Sequence, residues 1–195
     1  MWRSASCSER RARAGALLLA VAIGAAPAGA RVLATVEDAL ARAFPAPARV
    51  EKRTLYLDRR QAARIEARAG SKLPSRIATC FVARSGADAG AEIVGWACLD
   101  THVVRTLPET VLVVVDRELH VRRVEILAFR EPADYLPSDR WLAQFEGRPA
   151  GDDLALRRGI RVLSGATLSS HAITRAVRRV LAIVELELAG TEGGR

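Results

Sequence analysis

The sequence has little of what several classes of protein depend on. Its 195 residues include three cysteines and three histidines, too few for a zinc ribbon or a disulfide scaffold. It contains no serine nucleophile elbow, no phosphate-binding Walker loop, no GxGxxG dinucleotide motif and no internal repeat. With 50% hydrophobic and 27% charged residues, the composition is that of a globular protein rather than of a disordered tail. The length indicates one domain with a modest appendage.

The appendage is predicted at the N-terminus, where a basic segment precedes an apolar one. Four arginines come before an apolar run of seventeen residues, 14–30, which ends in the small-residue sequence PAGA. Signal peptidase cuts after patterns of this kind, and a run of this length is short for a membrane span. We expect a signal peptide over residues 1–30, cleaved after Ala30, and an exported, periplasmic protein. An uncleaved leader that anchors the protein to the inner membrane is the alternative.

The charge of the chain argues against a nucleic-acid partner. The net charge is +8, and removal of the leader, with its four arginines and one glutamate, leaves +5. That charge is too low for a nucleic-acid binder, and export separates the protein from nucleic acids. The leader also carries Cys7, so that Cys80 and Cys98 remain in an oxidising compartment.

Helix start and stop signals predict two short helices at the beginning of the mature chain. Thr35 is a suitable N-cap for the first helix, which should end by Phe44 because prolines follow. Asp58 can cap the second helix, which should run to Ala69 with Gly70 at the stop position.

Four strands are predicted next, because the hydrophobic period changes from helical to alternating. Residues 76–84 and 92–100 form one predicted hairpin, and residues 110–116 and 119–129 form a second strand pair. The continuous apolar run over residues 111–115 indicates a central strand that is covered on both faces.

The two cysteines of the mature chain lie on the predicted hairpin. If the hairpin is centred on Ala89, Cys80 stands opposite Cys98, as Val82 does opposite Trp96. Directly opposed cysteines are close enough for a disulfide. A disulfide and two buried reduced cysteines are equally good interpretations.

Two further helices complete the pattern, a short one over residues 138–145 and a long one over residues 167–188. The long helix carries an apolar stripe, and Arg175, Arg178 and Arg179 are predicted to face water. The order helix, helix, four strands, helix, helix predicts an α+β fold with an antiparallel β-sheet packed against helices.

The histidines and the loop carboxylates give little sign of catalysis or of a metal site. His102, His120 and His171 have no metal-ligand spacing, and we interpret them as ordinary loop, strand and helix-surface residues. The acidic residues within 131–135 and 152–153 are interpreted as turn formers or helix caps rather than as acid–base groups.

Residues 164–170 (SGATLSS), at the predicted start of the last helix, are the most informative segment. Small residues let a ligand approach the backbone, and the free N–H groups and positive dipole end of a helix start favour a phosphate. Hydroxyl side chains and preceding arginines add donors: Ser164, Thr167, Ser169 and Ser170, with Arg157, Arg158 and Arg161. From the residues alone, an anion site and an ordinary helix cap are equally good interpretations.

The sequence Ser164-Gly165-Ala166-Thr167 resembles the S/T-G-A-T motif of FMN-binding domains. These domains occur in the flavin-carrying subunits of sodium-translocating NADH:quinone reductases and Rnf-type complexes, and in small exported FMN-binding proteins. The resemblance extends upstream through residues 100–106, 108–111, 131–132 and 135–137, and it covers most of residues 75–181. Together with the leader and the N-terminal helix predicted above, it gives four predicted segments: the signal peptide (1–30), a short N-terminal helix and Pro-rich linker (31–53), the FMN-binding domain (54–190) and a flexible tail (191–195).

The resemblance also implies FMN as the cofactor and Thr167 as its attachment point. In that family a flavin transferase links FMN through its phosphate to the motif's threonine as a phosphoester. The implied cofactor-binding residues are Thr167 as covalent acceptor with Ser164, Gly165, Ala166, Leu168, Ser169, Arg161, Glu131 and Pro132. Arg161 departs from the pattern, since the family has an aspartate there that helps the transferase to recognise its target. Non-covalent FMN in the same pocket is therefore the alternative.

These inferences together predict an exported flavoprotein that passes electrons between redox partners. It would be a component of an oxidoreductase system, membrane-associated if the leader stays, rather than a stand-alone enzyme. Its expected partners are the flavin transferase and donor and acceptor proteins, and Trp96, Tyr135 or Trp141 would stack on the flavin if they are not core residues. The alternative is a non-redox periplasmic anion-binding or scaffold protein, which would be colourless.

Overall fold

The computed structural model describes residues 31–86 and 91–190. The predicted signal peptide, residues 1–30 with Cys7, and the predicted tail, residues 191–195, lie outside the described residues. Within the two described ranges, no helix combines the length and the apolar character needed to cross a bilayer.

In the described residues, six antiparallel strands form a single sheet. They are β1 (Arg31–Val32), β2 (Arg49–Tyr56), β3 (Ile77–Arg84), β4 (Ile93–Val103), β5 (Pro108–Val115) and β6 (Val121–Phe129). Their order across the sheet is β1-β6-β5-β4-β3-β2. The helices are α1 (Val36–Ala43), α2 (Arg59–Ala69), α3 (Asp139–Leu142) and α4 (Thr167–Ile183), which continues into a π-helical segment (Val184–Ala189). The predicted α+β class with an antiparallel sheet is confirmed.

The two N-terminal helices begin and end at the predicted residues. The Thr35 hydroxyl accepts the N–H of Asp38 at the start of α1. Asp58 and Gln61 form a reciprocal capping box at the start of α2, and Gly70 ends that helix with φ +67°. A positive φ is unfavourable for residues that have a Cβ, so glycine is the suitable residue there.

The central strand is covered on both faces, as the apolar run indicates. All five residues from Val111 to Val115 are fully buried. Alternate side chains of β5 pack into two clusters, one shared with α2 and α4 and the other shared with α1. Because side chains alternate along a strand, an uninterrupted apolar run can supply both clusters.

The predicted hairpin register is confirmed, since Cys80 pairs with Cys98 and Val82 pairs with Trp96. The structure joins the two cysteines in a disulfide, with 2.04 Å between the sulfur atoms. Of the two interpretations that the sequence leaves open, the disulfide is the one that the structure has.

Part of residues 31–53, which the sequence predicts as a short helix and a Pro-rich linker, forms β-strands in the structure. From Arg49 onward the chain forms β2, which pairs with β3 along its length, and β1 pairs with β6. β2 is an edge strand with largely exposed, charged side chains, so it lacks the apolar alternation on which strand prediction depends. Residues 31–53 and the rest of the described chain therefore share one sheet.

The water-facing side of α4 is narrower than predicted. Arg175 is exposed, but the Nε of Arg178 donates to the carbonyl oxygen of Ala69 at 2.8 Å. Arg179 is only 5% exposed and pairs with Asp100. The prediction that Arg178 and Arg179 face water is wrong, because α4 contacts α2 on one flank and β4 on another.

Candidate functional site

The start of α4 is formed by a turn without a side-chain cap. Gly165 has φ +83°, and Ala166 occupies the N-cap position, so no side chain among the described residues accepts the first helical N–H groups. Thr167 is the first helical residue and is exposed to solvent. The local sequence therefore places a threonine hydroxyl beside an open helix terminus.

Three backbone N–H groups at this terminus are available to a ligand. Within the described part of the chain, the N–H groups of Thr167, Leu168 and Ser169 have no acceptor, whereas the Ser170 N–H donates to Ala166 at 3.0 Å. Such orphan donors, together with the positive end of the helix dipole, form an anion-binding site.

Only two of the four predicted hydroxyl donors are available. Ser164 and Thr167 are exposed. The Ser169 hydroxyl donates to the carbonyl oxygen of Tyr135 at 2.8 Å, and the Ser170 hydroxyl donates to a carbonyl oxygen one turn back in α4. The hydroxyls of Ser169 and Ser170 are therefore used inside the protein, although Ser169 keeps its backbone N–H for a ligand.

A cavity of about 280 Å³ opens at this helix terminus. Its lining residues are Arg105, Tyr135, Gly165, Ala166, Thr167, Leu168 and Ser169. The guanidinium of Arg105 lies 4.7 Å from the centre of the Tyr135 ring, which is the distance of a cation–π contact. We call this the Thr167 cavity.

Arg105 reaches the cavity because Glu131 holds its loop. One carboxylate oxygen of Glu131 accepts the N–H groups of Arg105 at 3.2 Å, Thr106 at 2.8 Å and Leu107 at 2.9 Å. The backbone hydrogen bonds from Thr106 and Leu107 lower the pKa of Glu131, so that it stays ionised. Sequence reasoning missed Arg105, because only the folded loop brings it to α4.

Glu131 and Pro132 do not themselves line the Thr167 cavity. The carbonyl oxygen of Pro132 accepts the N–H of Tyr135 at 3.0 Å and so sets the turn that carries this tyrosine. In the structure both residues act on the cavity walls, Glu131 through Arg105 and Pro132 through Tyr135. A direct contact of either with a cofactor stays a prediction.

The predicted arginine partners of a phosphate are not among the lining residues. Arg161 is exposed, its N–H donates to Gln144 at 2.9 Å and its carbonyl oxygen accepts the Trp141 indole at 2.7 Å. Its contact with a phosphate stays a prediction. Of the aromatic candidates for stacking, Trp96 and Trp141 are core residues, and Tyr135 is the one that borders the cavity.

A second group of polar residues lies buried between β4, β5 and α4. The Nδ1 of His102 lies 2.8 Å from an Asp100 oxygen, and its Nε2 lies 3.2 Å from a Glu109 oxygen. The Nε and Nη2 atoms of Arg179 donate hydrogen bonds of 2.8 and 2.7 Å to the two carboxylate oxygens of Asp100. The second oxygen of Glu109 is buried without a partner among the described residues. We call these four residues the charge cluster.

The charge cluster shifts the pKa values of its members. Burial raises the pKa of Asp100. Hydrogen bonds with His102 and Arg179 lower this pKa by more than burial raises it, so the net shift is downward. Burial lowers the pKa of His102, but hydrogen bonds to Asp100 and Glu109 raise it more. Burial raises the pKa of Glu109 by more than His102 lowers it. The interpretation of His102 as an ordinary loop or strand residue holds only in part: it lies on strand β4, but it is buried and contacts two carboxylates.

The described residues contain no group of histidine, cysteine or carboxylate side chains that is placed to hold a metal ion. They do contain an uncapped helix start beside a shallow cavity. The Thr167 hydroxyl, three free backbone N–H groups and the Arg105 guanidinium surround this cavity. This set of groups is suited to a phosphate-bearing ligand at the start of the last helix.

Comparison with protein-family models indicates a cofactor for the chain. Residues 107–182 match the FMN-binding domain, so the chain contains this domain and FMN is its cofactor. The matched segment includes Thr167, Glu131 and Tyr135, whereas Arg105, His102 and both cysteines precede it. No curated protein matches the chain.

The donors at the Thr167 cavity fit the phosphate end of FMN. Three N–H groups, the Thr167 hydroxyl and the Arg105 guanidinium are suited to phosphate oxygens, and Tyr135 and Leu168 offer apolar surface to a ring. The cavity volume of about 280 Å³ lies just below the usual range for sites that enclose a ligand. The cavity is therefore suited to part of FMN, with the remainder outside it.

Proposed function

We propose that this protein is an exported electron carrier whose FMN is attached to Thr167 by a phosphoester. The observation that carries the proposal is the position of Thr167, an exposed hydroxyl at the first residue of a 17-residue helix whose terminal N–H groups are free. The FMN-binding domain match covers this residue. FMN supplies the redox chemistry, and the protein supplies its position and surroundings.

Attachment exchanges one bond to phosphorus for another. With a flavin dinucleotide as donor, the Thr167 oxygen bonds to the phosphorus of the FMN half, the bond from that phosphorus to the second phosphate breaks, and the other nucleotide leaves as its monophosphate while the hydroxyl proton passes to solvent. The protein then gains the mass of FMN less one water. The phosphodiester keeps one negative charge, which the helix terminus stabilises by about 0.3–1 kcal/mol.

The composition of the cavity walls favours electron transfer over conversion of a small substrate. Of the described residues that line the Thr167 cavity, none is a carboxylate, a histidine or a cysteine, so the walls offer no acid–base group of ordinary pKa near neutrality. Leu168 at the mouth of the cavity is 51% exposed, so one apolar side chain is accessible there to a redox protein.

Export and partners belong to the same proposal. The N-terminal sequence has the pattern of a signal peptide, and a disulfide between Cys80 and Cys98 fits an oxidising compartment. We propose a flavin transferase as the maturation partner and separate donor and acceptor proteins as redox partners. An uncleaved leader would keep the protein at the inner membrane.

The test is purification from the periplasm of a host that co-expresses a flavin transferase. We expect yellow protein whose colour stays with the chain after denaturation and whose intact mass is increased by FMN less water. Yellow protein that bleaches on denaturation would contradict covalent attachment and leave FMN bound through the same cavity. Colourless protein would contradict the proposal and favour a non-redox anion-binding or scaffold protein.

A further inference from the structure

A second cavity of about 390 Å³ lies further along α4 and shares no lining residue with the Thr167 cavity. Its walls include Leu73, His102, Val103, Ala172, Arg175 and Arg179. They come from the connection between α2 and β3, the end of β4 and the middle of α4. We call this the Arg175 cavity.

The Arg175 cavity has an excess of positive charge. From α4, Arg179 is neutralised by Asp100, and from the α2–β3 connection, Lys72 pairs with Glu66 at 2.6 Å. Arg175 is exposed, lines the cavity and has no hydrogen-bond or ion-pair partner among the described residues.

The charge cluster behind the wall does not cancel this excess. His102 from β4 contacts two carboxylates, Asp100 on its own strand and Glu109 on β5. Two cations, His102 and Arg179, face these two carboxylates, so the cluster is neutral when all four are ionised and positive when Glu109 is protonated. The charge of Arg175 therefore remains uncompensated.

The walls of the Arg175 cavity also have apolar surface, which Leu73, Val103 and Ala172 provide. A suitable occupant therefore has an anionic group at one end and a small apolar body.

We propose that the Arg175 cavity is a binding site for a small organic carboxylate, with Arg175 pairing with the carboxylate group. The planar guanidinium matches both oxygens of a carboxylate, and the buried side chains of Arg179 and His102 keep the wall rigid. The apolar walls distinguish an organic acid from an inorganic oxyanion. The proposal does not depend on flavin attachment, because the two cavities have separate walls.

Calorimetric titration of the full-length protein with benzoate, benzamide and inorganic phosphate tests the ligand class. Benzoate is expected to bind saturably at concentrations up to about 10 mM, and benzamide, which has the same shape without the charge, at least about tenfold more weakly. Phosphate can also bind at the Thr167 cavity, so it is tested by competition: because it has no apolar body, it is expected to displace benzoate only at concentrations well above those at which benzoate binds. Equal binding of benzoate and benzamide, displacement of benzoate by an equal or lower concentration of phosphate, or no binding of benzoate would overturn the proposal.

Variants and methyl NMR locate the site. Arg175→Gln should weaken benzoate binding by about tenfold or more, the usual effect of removing a charge-assisted hydrogen bond. The matched control is Arg122→Gln, which changes another exposed arginine, on β6, and should leave the affinity unchanged. Methyl signals of Val103 and Ala172 should move with benzoate while those of Val94 do not. Unchanged affinity in Arg175→Gln, or shifts confined to Leu168 at the other cavity, would overturn the location.

Discussion

The two cavities along α4 are built in opposite ways. The Thr167 cavity is made largely of consecutive residues, 165–169, whose backbone N–H groups are free because a helix begins there. The wall of the Arg175 cavity depends on side chains far apart in sequence, since Arg179 and Asp100 are separated by 79 residues. The first offers binding groups at little cost to stability, whereas the second depends on buried charges that must stay paired. Mutations should therefore separate flavin attachment from folding stability.

The largest expected effect is on the charge cluster. Arg179→Met leaves Asp100 buried without its bidentate partner, and breaking such a pair costs about 3–5 kcal/mol. The measurement is the free energy of unfolding from denaturant titration. The matched control is Arg175→Met on the same helix, which has no protein partner among the described residues and should change the free energy by less than about 0.5 kcal/mol. Equal effects of the two substitutions would contradict the contrast between the cavities.

The next largest effect concerns the disulfide beneath the same face of the sheet. Cys80 and Cys98 close a loop with a sequence separation of 18. Replacing both by alanine should lower the free energy of unfolding by about 2–4 kcal/mol, since the cross-link restricts the unfolded chain. Flavin attachment at Thr167 should persist in protein that still folds. The control is the wild-type protein under reducing conditions, which should lose a similar amount, and no loss in either sample would argue against a stabilising disulfide.

A smaller loss of stability is expected at Glu131, the carboxylate on which the wall of the Thr167 cavity depends. Glu131→Gln weakens the hydrogen bonds that hold the loop of Arg105 and should cost about 1–2 kcal/mol. The folded-state pKa of Glu131 is lowered, so its contribution is present above the ordinary value near 4.5 and is lost as pH falls. The variant should therefore lose less stability than wild type on acidification below that value. Asp134→Asn, on an exposed neighbour, should behave as wild type, and identical acid profiles for all three proteins would contradict this role of Glu131.

The smallest expected effect is the change in the free energy of unfolding with pH that His102 causes. Its folded-state pKa is raised above 6.5, so its contribution is complete below that value and is lost as pH rises through the folded pKa. The free energy of unfolding should fall above about pH 6.5, by up to about 1.4 kcal/mol per pH unit for one proton. His102→Gln should flatten this decline, and His171→Gln, which changes an exposed residue on α4, should keep it. A decline that persists in His102→Gln would assign it to other groups.

The contrast between the two cavities also explains which parts of the fold and of the candidate site the sequence predicts. The helix starts at Thr35, Asp58 and Thr167 follow from local signals, and the hairpin register follows from alternation around one turn. The motif at Thr167 is predictable because its donors are neighbours in the chain. Strand β2 escapes prediction because a charged edge strand has no apolar period.

Long-range pairing accounts for the rest. Nothing near Arg179 in the sequence indicates that Asp100 will neutralise it, so exposure is the reasonable expectation for an arginine on a helix. Arg105 reaches the Thr167 cavity only because Glu131 accepts hydrogen bonds from three N–H groups of the loop that carries Arg105. Both arrangements depend on strand packing that brings distant residues together.

The central claim is that Thr167 carries the flavin, and the most direct test compares two hydroxyl deletions at the same helix start. Thr167→Val keeps the shape of the side chain without its hydroxyl, and Ser164→Ala removes the other exposed hydroxyl of the motif. With a flavin transferase co-expressed, denatured Thr167→Val should have the unmodified mass, and Ser164→Ala should keep the mass increase of FMN less water on the peptide that contains Thr167. Covalent flavin retained in Thr167→Val, or lost in Ser164→Ala alone, would contradict the assignment.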